Sequence, residues 1–141
     1  MTSLEQYRTI YSCFNECAFK TPEIYYNMFF GRYSHKLKDI IHTYYWELFP
    51  DELNGLSPQM QNMLVGGNLK ERDEVMMDTL VTDGFVDPDK AGLVLEIIIA
   101  LHERYIHQAC LYKEQLDMAV HAENFMKLFN YVLVSARPQR A

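Results

Sequence analysis

The chain has 141 residues, 49% hydrophobic and 23% charged, with a formal net charge of -6. That length suits one domain with a real core, and the composition argues against disorder. An acidic balance speaks against binding nucleic-acid phosphates, which takes clustered Lys and Arg.

Thr2 followed by Glu5 reads as a capping box, and Tyr7, Ile10, Tyr11, Phe14 and Ala18 recur at helical spacing. A first amphipathic helix is therefore predicted through Ala18. Thr21-Pro22 is a second start signal, and so short a link makes the first two helices antiparallel neighbours. The second helix reads Ile24 to Phe30 and is expected to bend at Gly31. Leu37, Ile40, Ile41, Tyr44, Tyr45 and Leu48 mark a third helix, ending before Pro50 and a loop through Gly55. Ser57-Pro58 opens a further helix that meets Gly66-Gly67, where two glycines cost about 2 kcal/mol relative to alanine and predict a break. A helix over Leu69 to Val81 follows, terminated by Asp83-Gly84.

Asp87-Pro88 again pairs a cap residue with proline at the first helical position. From Gly92 to Leu101 there are nine uncharged residues around Glu96. Ile97, Ile98 and Ile99 look to three sides of a helix, which predicts a buried central rod over about 88–110. The run is well short of the roughly 20 residues needed to cross a bilayer. No Pro or Gly occurs from Leu93 to Arg137, so a turn is expected between Gln108 and Glu114, with a final helix through Val134. The expected fold is all-α: one compact domain over 1–137, a bundle of about five to seven helices around the central one, and a loose tail at 138–141.

The functional residues are less sharply marked. Nine of the nineteen aromatic residues fall between Tyr25 and Phe49. Tyr25-Tyr26 and Tyr44-Tyr45-Trp46 are adjacent runs that wrap too much of a helix to be buried together, which points to a surface of binding hot spots. Between Lys70 and Glu96 eight acidic residues face three basic ones. Glu71, Asp73, Glu74 and Asp78 are expected to steer a partner with a basic surface, as complementary charge raises association rates.

Metal chemistry has two candidate sets. His35, Asp39 and His42 share one helical face, and two imidazoles with a carboxylate could hold zinc or iron, completed by Glu103 or His107. Glu96, Glu103, His107, Cys110, Glu114, Asp117 and His121 form a polar line that reads first as a solvated face. His102 is expected to be a satisfied core histidine. Cys13, Cys17 and Cys110 are too few for a disulfide framework and are expected to be buried free thiols in a reducing compartment. There is no Gly-rich phosphate loop, no Gly-x-Ser-x-Gly and no Cys/His pairing. No catalytic activity is expected.

Pro22-Glu23-Ile24-Tyr25-Tyr26-Asn27-Met28-Phe29-Phe30-Gly31-Arg32-Tyr33 resembles the second helix of a globin. Leu101-His102-Glu103-Arg104-Tyr105 resembles a globin's proximal segment, with Tyr105 at the haem-ligand position. The resemblance spans some 17 residues and implies a globin-like fold, with or without haem.

The residues together lead us to expect a small acidic interaction module that regulates, adapts or inhibits a partner protein, without a cofactor. Direct nucleic-acid or membrane binding is not expected, and a homodimer is compatible with the pattern. The N-terminus carries neither a basic region nor an apolar run of the secretory kind, which suggests the cytoplasm, or a host's cytoplasm if the protein is viral. The alternative is a metal- or haem-binding helical bundle.

Overall fold

The first helix, α1 (Ser3–Ala18), begins where its cap predicts. The Glu5 amide donates to Thr2 Oγ1 at 3.1 Å, and the Thr2 amide donates back to Glu5 Oε2 at 2.8 Å. Tyr7, Ile10, Tyr11, Phe14 and Ala18 then fall on one stripe and are all buried. In this computed structural model residues 1–30 and 69–139 are described, with the backbone alone for Met28 and residues 69–72. The expected helix over Leu37–Leu48, the loop through Gly55, the Ser57-Pro58 start and the Gly66-Gly67 break lie outside those residues.

Helix α2 (Pro22–Phe29) follows with its proline in the first turn. Tyr25 and Phe29 pack onto Phe14, with ring centroids 5.8 and 5.0 Å away. Helix α3 (Leu69–Thr82) lies within one residue of its expected span. It ends in a Schellman arrangement: the Phe85 amide donates to the Leu80 carbonyl and the Gly84 amide to that of Val81. Gly84 sits at φ +82°, the left-handed conformation this closure needs.

The central helix, α4 (Ala91–Leu111), packs against α2, α3 and the last helix, α5 (Met118–Ser135). It departs from expectation in two ways. Asp87 and Pro88 build a turn before the helix, with Asp87 Oδ1 accepting from the Asp89 amide at 2.9 Å, so α4 starts three residues later. Nor is α4 buried all round: Ile98 is fully enclosed, but Ile97 is 48% and Leu93 62% exposed. Its neighbours cover one broad side and leave the opposite stripe to solvent.

The turn between α4 and α5, residues 112–117, begins inside the expected interval and runs three residues past Glu114. Asp117 caps α5 by accepting from the amides of Ala119 and Val120 at 3.0 and 3.3 Å. The two helices are antiparallel: Lys90 Nζ reaches the Ser135 carbonyl at one end, and Tyr105 stacks on His121 at the other. The fold is all-α, with no strand among the described residues. None of the described helices is long and apolar enough to cross a membrane. The cysteines correct the expectation of buried thiols, since Cys13 is exposed and Cys17 and Cys110 are half-buried.

Candidate functional site

In the core, Tyr11 of α1 donates its hydroxyl to Asp73 Oδ2 of α3 at 2.8 Å. Asp73 is fully buried, correcting its expected place on an acidic surface. The reason is register: Asp73, Met76, Met77 and Leu80 lie at i, i+3, i+4 and i+7, one inward face. Burial pushes the Asp73 carboxyl up to about 6, against the lowering effect of the Tyr7 and Tyr11 hydroxyls. Among the described residues Asp73 Oδ1 and the Tyr7 hydroxyl complete no hydrogen bond. Burial, then the Asp73 charge, pushes both tyrosine hydroxyls well up.

His102 lies on the far side of the Tyr11 ring, 5.2 Å between centroids, and touches Phe14, Phe30 and Phe125. It is a core histidine as expected, but neither ring nitrogen has a partner among the described residues. Burial alone drops its pKa to about 3, so it is a neutral imidazole. Tyr7, Tyr11, Asp73 and His102 are themselves closed to solvent.

Where α2 meets α4, residues from both candidate lists come together. The Tyr26 hydroxyl reaches Glu103 Oε1 at 3.5 Å, and its ring lies 5.2 Å from that of His107. Burial, then the Glu103 charge, raises the Tyr26 pKa. Cys110 nearby has its thiol pushed up by burial and then by Glu23, the reverse of an activated nucleophile. No group of three or more His, Cys, Asp or Glu that could hold a metal occurs among the described residues. His35, Asp39 and His42 lie outside them. At the haem-ligand position of the resemblance, Tyr105 stacks on His121 with 4.5 Å between centroids, and its carbonyl lies 2.8 Å from His121 Nε2.

The expected hot-spot residues divide. Tyr25 is 4% exposed, wedged between Phe14 and Phe29, so it is core rather than surface. Tyr26 is half-buried, and Tyr44, Tyr45 and Trp46 lie outside the described residues. Glu74 and Asp78 do face solvent, whereas the side chain of Glu71 is not described.

The apolar surface is elsewhere, on α4 and α5, where the sequence reading did not look. Leu93 and Ile97 of α4 stand beside Tyr131 of α5, which is 73% exposed. Between the helices runs a groove of about 270 Å³, walled by Leu93, Val94, Ile97, Tyr131 and Val132 and closed at one end by Lys90. A larger hollow of about 490 Å³ lies between the end of α1 and the start of α5. Its polar side chains, Ser12, Glu16 and Lys20, are surface groups, and the buried Asn15 amide behind it is sealed from solvent. The groove is the better candidate, because exposed large side chains converge on it. No protein-family model, no curated protein and no solved structure matches the chain.

Proposed function

We propose that this protein is a small interaction module that acts by docking a protein surface through the α4/α5 face, without catalysis. The observation that carries the reading is the line of Leu93, Ile97 and Tyr131, three large apolar side chains left in water along one groove. Contiguous apolar patches on soluble proteins mark interaction sites, and an exposed Tyr beside aliphatic residues is hot-spot chemistry. Three of the described acid–base groups support the non-catalytic half: Asp73 and His102 are enclosed, and Cys110 is disfavoured as a thiolate. Glu74 and Asp78 sit on a different helix, α3, where they would steer an encounter without forming the apolar contact.

Replacing Leu93, Ile97 and Tyr131 together by serine tests this. The variant is expected to keep its helical circular dichroism and melting temperature and to lose the proteins that co-purify or cross-link with the wild type. Loss of the fold, or retention of every bound protein, would contradict the reading.

A further inference from the structure

We infer that α3 is a pH-sensitive latch on α1, closed while the Asp73 carboxyl holds its proton and opening as that proton leaves, on a bundle that otherwise stays folded.

The groups around Asp73 set the sense of the latch. Among the described residues it is the only buried acidic side chain, and no Lys or Arg is buried with it. From α1 it meets two phenols, Tyr7 and Tyr11, of which only Tyr11 completes a hydrogen bond, to Oδ2. From α4, the other helix packed against α3, the one enclosed titratable group is His102, which lies beyond the Tyr11 ring and is neutral. On α3 itself Glu74 and Asp78 face solvent and carry the same sign as an ionised Asp73. A carboxyl buried with phenols and no cation favours its neutral form, because nothing replaces the water an anion would lose. Ionised, Asp73 recovers that water when its own helix lifts from α1.

The place of His102 confines the opening to α3. The rings packed around it, Tyr11, Phe14, Phe30 and Phe125, come from α1, the end of α2 and α5, and none comes from α3. Full unfolding exposes Asp73 and His102 together, and their opposite pH dependences largely cancel. Lifting α3 exposes Asp73 and leaves those rings around His102. The Asp73 contribution is present below about 3.8 and lost as pH rises through about 6, and here nothing offsets the loss. Local opening of α3 therefore becomes easier towards neutral pH while global unfolding hardly changes.

Amide hydrogen exchange of the full chain, read by mass spectrometry and corrected for the intrinsic pH dependence of exchange, tests this, because it resolves opening element by element. From about pH 4.5 to about pH 7 the protection of α3 is expected to fall at least tenfold, since each unit of pKa difference is a tenfold change in the opening equilibrium. Protection in the middle of α4 and α5, which reports global unfolding, should change by no more than about threefold. Asp73→Asn should abolish the α3 dependence, and Glu74→Gln, at the exposed neighbouring position, should keep it. Tyr11→Phe removes the hydrogen bond at Oδ2 and should move the α3 transition to higher pH, which decides the matter if Asp73→Asn does not fold. Protection of α3 that is constant with pH overturns the proposal, and so does a fall shared equally by α4 and α5. An Asp73→Asn variant with the wild-type slope, or a Tyr11→Phe transition that has not moved, overturns it as well.

Discussion

Asp73 and His102 titrate in opposite senses inside one core. The Asp73 carboxyl is raised from 3.8 to about 6, so its contribution to stability is fully present below about 3.8 and is lost as pH rises through about 6. Ionising it inside the fold costs on the order of 3 kcal/mol at neutral pH, taking 1.36 kcal/mol per unit. His102 is lowered from 6.5 to about 3, so its contribution is present above 6.5 and is lost as pH falls through about 3. Between about pH 4 and 6 the two slopes oppose each other, and denaturant unfolding of the wild type should vary little there. Asp73→Asn keeps an acceptor for the Tyr11 hydroxyl and removes the charge. Its stability should climb with pH across that interval and exceed the wild type's at pH 7. His102→Leu should instead fall across it. Profiles for both variants parallel to the wild type's would refute the assignment. The inward place of Asp73 was legible, since it shares a stripe with Met76, Met77 and Leu80; counting acidic residues as a block hid it. Tyr25 was legible in the same way from its i, i+4 relation to Phe29. The missing partners of His102 were not, because they depend on which side chains α1, α2 and α5 bring around it.

Helix ends were the most readable elements, because a cap is a local contract between neighbouring residues. Thr2 with Glu5, Pro22 and Asp83-Gly84 each sit where their chemistry requires. Gly84→Ala meets no steric obstacle, yet it should cost about 1–2 kcal/mol because alanine resists φ +82°. Differential scanning calorimetry would read this as a lower melting temperature, and an unchanged one would refute the closure described. The central helix was only half readable. Its apolar run correctly placed it against α2, α3 and α5, but the prediction of burial on all sides failed at Leu93 and Ile97. A stripe meant for the chain's own core and one meant for another protein carry the same residues. Ile98→Ala should cost about 2–5 kcal/mol in an enclosed site. Ile97→Ala, one residue away and half in water, should cost well under half of that. Equal losses would mean that Ile97 is core.

At the scale of the whole molecule, the exposed carboxylates of Glu74 and Asp78 lie on α3, whereas the apolar groove runs between α4 and α5. The all-α class and the turn between α4 and α5 followed from helical spacing and the run without Pro or Gly. The groove did not, because it is a property of two helices that meet 45 residues apart in the chain, as Lys90 and Ser135 do. Site-specific photo-cross-linking in cells, with a benzophenone side chain replacing Tyr131, bears most directly on the docking face. A Tyr112 replacement, also exposed but on the turn after α4, serves as the comparison. The Tyr131 probe is expected to give a cross-linked protein adduct, and the Tyr112 probe none. No adduct at Tyr131, or the same adducts at both positions, would contradict the docking face.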